Sequence, residues 1–121
     1  MREFQSLEFW KKSHRLTLSI YDLTSKHFPK NEIFGLTSQI RRAASSIPTN
    51  IAEGCGRKSN ADFAHFIHIA IGSASEVEYE LLLAKDLKYI DENNWKKLRD
   101  DVIEVRKMMH SFTQKLIAHN S

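Results

Sequence analysis

The sequence predicts an all-α fold: an antiparallel up-down-up-down four-helix bundle with a proline-kinked second helix, built as one domain over residues 1–121. Three observations carry this. Apolar residues recur at steps of three and four through four long stretches, the signature of one buried helical face. Only two prolines and four glycines interrupt the chain, and Pro29, Gly54 and Gly56 fall between those stretches. No stretch alternates apolar and polar residues for long enough to make a strand.

The first helix is expected over residues 6–27, with Leu7, Trp10, Leu16, Ile20, Tyr21 and Leu23 on its apolar stripe. Pro29 stops it, because proline disfavours helical geometry in the residue before it. The second is expected over residues 32–53, carried by Ile33, Leu36, Ile40, Ala44, Ile47 and Ile51. Pro48 lies inside this pattern. It removes one amide donor and crowds the Ala44 carbonyl, which costs about 3 kcal/mol in a helix interior. The stripe stays in phase across it, so a kinked continuous helix is expected, with Ser45, Ser46 and Thr49 supplying hydroxyls near the disturbed turn. Gly54 and Gly56 are expected to end it in a left-handed cap.

The third helix is expected over residues 60–88, with Ser59 as N-cap and Asp62 in capping-box position. Its segment Phe63-Ala64-His65-Phe66-Ile67-His68-Ile69-Ala70-Ile71 is apolar around most of its circumference. A single bundle core covers one stripe only, so a second apolar face is left for another subunit. The fourth helix is expected over residues 92–117 after Asp91. Trp95, Leu98, Val102, Val105, Met109, Phe112 and Leu116 form an unbroken seam. Short links at 29–31, 54–58 and 89–91 make successive helices antiparallel neighbours.

Composition narrows the function classes. Apolar residues make up 41% of the 121 residues and charged residues 27%, which suits one soluble packed domain. No apolar run approaches the ~20 residues that span a bilayer. No apolar signal segment follows the N-terminus, and Cys55 has no second cysteine to pair with. These features predict a cytoplasmic protein without membrane contact. The net charge of +3 and pI near 9.1 permit a nucleic-acid partner without requiring one.

The combination Phe28-Pro29, Glu32, Phe34-Gly35-Leu36-Thr37, Gln39-Ile40-Arg41-Arg42-Ala43-Ala44, Ser46-Ile47-Pro48, Asn50-Ile51-Ala52-Glu53-Gly54, Ile69-Ala70 and Gly72-Ser73 resembles the bacterial four-helix-bundle proteins encoded in intervening sequences of large-subunit ribosomal RNA genes. The similarity runs from about Phe9 to Ile117. It implies a bundle that assembles as a symmetric ring, a homopentamer. It also implies kinship with the accessory variability determinant proteins of diversity-generating retroelements, which bind nucleic acid together with a reverse transcriptase. It brings no catalytic residues.

The basic side chains are the candidate nucleic-acid contacts. Arg41, Arg42, Arg57 and Lys58 stand against one acid, Glu53, in the second helix and its following turn. Guanidinium groups suit phosphate geometry. The third helical segment is the opposite, with Asp62, Glu76, Glu78, Glu80 and Asp86 against Lys85 and Lys88, so pairing between the two segments is the favoured reading for Arg41 and Arg42, while for Arg57 and Lys58 it stands level with nucleic-acid contact. Lys11, Lys12 and Arg15 form a weaker second set, for which a solvated face is the favoured reading.

Other constellations point away from catalysis. His65 and His68 lie one turn apart, but Asp62-x-x-His65 has no matching second copy, and no metal site is expected. Cys55 sits at a helix C-terminus, where the dipole disfavours a thiolate, and reads as a small turn residue. Asn50 and Glu53 are expected to bind backbone or arginine groups. Trp10 and Trp95 read as core residues. No nucleotide-binding, nucleophile-elbow or zinc-ribbon motif is present. The reading is therefore a non-enzymatic homo-oligomer with no cofactor, binding RNA or DNA. The alternative is a scaffold for a protein partner such as a reverse transcriptase.

Overall fold

The computed structural model describes residues 2–118, and among these it holds four α-helices and no strand. They are α1 (Glu8–His27), α2 (Leu36–Cys55), α3 (Asn60–Asp86) and α4 (Glu92–Ala118). Helices adjoin in chain order and α4 closes back on α1, while the diagonal pairs do not meet. The core is formed by the four stripes. Ile20, Ile40, Ile47, Ile51, Ile67, Val77, Leu81, Val102 and Met109 are wholly buried, each such side chain contributing about 1.5–3 kcal/mol.

Several expected boundaries move. Ser6 belongs to a 3-10 turn (Phe4–Ser6), and α1 starts at Glu8. α2 starts at Leu36, because Lys30–Glu32 forms a second 3-10 turn. Glu32 takes over the work of a cap: one carboxylate oxygen accepts from the Leu36 amide at 3.0 Å and the other from the Tyr89 hydroxyl at 2.7 Å. Ile33 and Tyr21, expected on buried stripes, are exposed. α3 ends at Asp86, two residues early. Its N-cap is as expected, with Ser59 Oγ accepting from the Asp62 amide at 3.1 Å. Asp91 likewise caps α4 through the Asn94 amide at 2.8 Å.

Helix α2 is continuous through Pro48. The carbonyl that Pro48 leaves without an intrahelical partner is that of Ala44. It is met by the Thr17 hydroxyl from α1 at 3.1 Å, which shares its hydrogen with the Ser13 carbonyl at 2.8 Å. The expected donors do otherwise. Ser45 turns to the Arg42 carbonyl, Ser46 pairs with Ser73, and Thr49 is exposed. Serine and threonine on the same helix lie beside the gap in sequence, but Thr17 lies across it in space.

The expected left-handed glycine cap is absent from α2. Gly54 is buried inside the helix and Gly56 is right-handed, at φ −83°. Gly54 is required for proximity instead: a Cβ there would lie 2.7 Å from Phe63 Cδ1 and 3.1 Å from Phe66 Cβ. Among the described residues the only positive φ is at Lys88, 66°.

Candidate nucleic-acid interface

The structure divides the seven candidate basic residues into those engaged within the chain and those presented outward. Arg41 is engaged. Its Nε donates to Thr24 Oγ1 at 2.8 Å and its terminal nitrogen to Ser25 Oγ at 3.0 Å, while the guanidinium lies 4.6 Å from the Tyr21 ring centre. It therefore clamps α2 to α1, and does not pair with the acids of α3. Lys12 pairs with Glu104 of α4, and Lys11 lies 3.4 Å from Glu8. Such exposed pairs are worth about 0–1 kcal/mol, so Lys11 and Lys12 remain available to a stronger anion.

Arg42, Arg57, Lys58 and Arg15 are all exposed. Arg42 donates to Ser38 Oγ at 3.2 Å and lines a groove with Glu76 and Glu80. Arg57 is held by Glu53 at 3.3 Å and over the Phe66 ring at 4.6 Å. Lys58 and Arg15 make no polar contact among the described residues.

Folding brings one further cation to this surface. The Arg2 amide donates to the Cys55 carbonyl at 3.1 Å, and its guanidinium lies 5.5 Å and 5.3 Å from the Phe63 and Phe112 ring centres. The N-terminal segment thus folds back onto the α2–α3 turn. Phe9 on the first turn of α1 meets Phe112, which also meets Phe63. Arg2, Lys11, Arg57 and Lys58, widely spaced in sequence, share one end of the bundle. Sequence reasoning missed Arg2 because nothing local marks a terminal segment that folds back.

The remaining candidates behave as structure. Asn50 donates to the Ser46 carbonyl at 2.8 Å and Glu53 holds Arg57. His65 and His68 are exposed, and no three metal-ligating side chains gather among the described residues. Cys55 is buried, which pushes its thiol above the ordinary range. Trp10 and Trp95 are half-buried against the core, Trp10 stacked on His14 and Trp95 flanked by Lys85 and Arg99. Glu80 differs from all of these. Burial and the adjacent Glu76 push its carboxyl up to about 7, against the pull of Arg42.

No described helix is long and apolar enough to cross a membrane. None of the curated proteins matches this chain in sequence. Among solved structures it is similar to a protein of unknown function from the S23 ribosomal protein family of Bacteroides thetaiotaomicron. The two are 29% identical, with a TM-score of 0.78 over 87% of this chain and 97% of the other. The model of the 23S rRNA-intervening sequence protein family matches residues 5–111. With nearly its whole length covered, the chain belongs to the 23S rRNA-intervening sequence protein family.

Proposed function

We propose that this protein is a non-enzymatic homo-oligomeric bundle, pentameric in its working form, that binds structured RNA through basic groups repeated around a ring. Its helices run up-down-up-down, with α2 bent at Pro48, and it works in the cytoplasm. The observation that carries this reading is the gathering of Arg2, Lys11, Arg57 and Lys58 at one end of the bundle. One such set is a weak site. Several copies on a ring act at high effective concentration and bind a polyanion far more tightly.

Self-association is supported by the outward face of α3. Ile69 and Tyr79 on it are 41% and 60% exposed. Gly72 lies in the same face, where an added Cβ would meet nothing within 4 Å. Mid-helix glycine costs about 1 kcal/mol relative to alanine, and no contact within the chain calls for it. Close approach by a neighbouring helix does.

An electrophoretic shift assay with a structured RNA tests the binding. The expected result is a shift at low salt that fades as salt rises, with little sequence preference. Substituting Arg57 and Lys58 together with glutamine should weaken it. No shift at low salt defeats the reading.

A second reading, a scaffold for a protein partner such as a reverse transcriptase, is favoured by the groove between Tyr79, Leu82, Trp95 and Arg99. Affinity capture before and after nuclease treatment separates the two, since a protein-held partner survives digestion.

A further inference from the structure

The groove between α2 and α3 holds a negative charge that the chain does not balance. Arg42, Ser46, Ser73, Glu76 and Glu80 line it, and it offers about 340 Å³. Glu80 is 9% exposed, and its Oε1 is buried without a hydrogen-bond partner among the described residues. The neighbouring hydroxyls are committed elsewhere: Ser46 and Ser73 bond each other at 2.9 Å, and the Asn50 amide donates to Ser46 Oγ at 2.9 Å. Arg42 sends its guanidinium to Ser38. With Glu80 ionised, two carboxylates against one guanidinium leave the groove one positive charge short. A buried carboxylate without donors is costly, and buried charges are normally paired.

An arginine without a partner among the described residues lies on the opposite side of the bundle. Every other described arginine has a hydrogen bond, an ion pair or a ring beneath it. Arg15 has none among the described residues. It lines the groove between α1 and α4 together with Asp101, with which it forms no ion pair, and Lys12 there pairs with Glu104. Because the helices adjoin in chain order, the α1–α4 and α2–α3 grooves face away from each other. A contact that joins opposite sides of identical copies is head-to-tail, which gives a ring where the rotation between copies closes and a filament where it does not.

We infer that the α2–α3 groove is a guanidinium-binding site filled by Arg15 of a second copy of this chain, set against the carboxylates of Glu80 and Glu76. This rests on the self-association proposed above and assigns it a residue pair. A guanidinium fits because its planar fork of donors can serve both carboxylates at once. Docking it would also draw the Glu80 carboxyl back toward the ordinary range.

Light scattering of the full chain over a concentration series tests the pair, using wild type, Glu80→Gln, Arg15→Gln and the double variant. Circular dichroism melts establish that each is folded. Each single substitution should raise the dissociation constant by about tenfold or more, and the double variant should lose little beyond either single. Glu76→Gln, at an exposed position, should give a milder loss and serves if Glu80→Gln does not fold. Wild-type association in both single variants, or losses that multiply in the double variant, overturns the pairing while leaving the oligomer intact. Loss in Glu80→Gln alone overturns Arg15 as the source. A monomeric wild-type chain at all concentrations overturns both the pairing and the assembly.

Discussion

The seam between α2 and α3 and the seam between α1 and α4 solve the same packing problem with different residues. α2 and α3 approach closely along much of their length, whereas α1 and α4 meet more sparsely. The close seam carries Ala43, Ser46 and Ser73, with Gly54 set against Phe63. The wide seam carries Phe9 against Phe112, at 4.9 Å between ring centres, and the Leu16–Val105 groove. Small side chains bring backbones together and large ones hold them apart. The consequence is electrostatic. Across the wide seam Lys12 reaches Glu104, while at the close seam Glu80 Oε1 is buried without a donor among the described residues.

The largest test of that contrast is Glu80→Gln. A carboxyl whose folded value is about 7, against an ordinary 4.5, holds its proton in the folded state after the unfolded chain has lost it. Stability from this group is therefore full below about 4.5 and falls as pH rises through about 7. Burial is the main cause of this value, with Glu76 of α3 adding to it and Arg42 of α2 opposing it. At pH 8, and at dilution below the association range, Glu80→Gln should be more stable than wild type by about 2–3 kcal/mol. The difference should close as pH falls toward 4.5. Denaturant melts at pH 4.5 and 8 measure it, and equal gains at both would refute the charge argument. Glu32 has the opposite sign. The Leu36 amide, then the Tyr89 hydroxyl, hold its carboxyl below the ordinary range, so its contribution is present above its unfolded value and lost in acid.

Two glycines sharpen the steric half of the comparison. Gly54→Ala places a methyl 2.7 Å from Phe63 Cδ1, and Phe63 cannot yield freely because it meets Phe112 at 5.4 Å between ring centres. The overpacking should outweigh the gain in helix propensity and cost about 1–2 kcal/mol. Gly72→Ala meets nothing within the chain and should stabilise the isolated subunit by about 1 kcal/mol. Thermal melts of the two variants should move in opposite directions. In the assembled form Gly72→Ala should weaken association, which separates an interface glycine from an idle one.

Thr17→Val probes the α1–α2 seam, between these extremes. It keeps shape and removes the hydroxyl that serves Ala44, leaving a buried carbonyl at the Pro48 gap unmet. The expected loss is about 1–2 kcal/mol, read by urea melts. A neutral outcome would show that the carbonyl finds another donor.

The four helices were legible because each keeps its apolar phase, and the caps at Ser59 and Asp91 because the signal is local. What failed was whatever depends on distant residues. Glu32 replaces a standard α2 cap because Tyr89, far along the chain, holds its carboxylate. The Pro48 gap is filled from α1 for the same reason. The site divides likewise. The exposure of Arg57 and Lys58 was legible from their place in a turn. Arg41 was not, since its partners Thr24, Ser25 and Tyr21 lie on the neighbouring helix. Arg2 joins the surface only through the folded-back N-terminal segment.

The smallest effect concerns the C-terminal end of α3, where sequence and geometry disagree most sharply about glycine. The Tyr89 amide donates to the Ala84 carbonyl at 2.9 Å and the Lys88 amide to the Lys85 carbonyl at 2.9 Å. These two bonds define a left-handed cap centred on Lys88, with φ of 66°. A side chain with a Cβ pays about 1–2 kcal/mol for this conformation, and glycine does not. Glycine also has more freedom to lose on folding, which offsets part of the gain. Lys88→Gly should therefore stabilise by about 0.5–1 kcal/mol, while Lys88→Ala should give no gain. Lys88→Val should lose stability, because branching at Cβ makes positive φ harder still. Thermal melts of the three variants measure the order. If alanine stabilises as much as glycine, the lysine charge is responsible and the backbone argument fails.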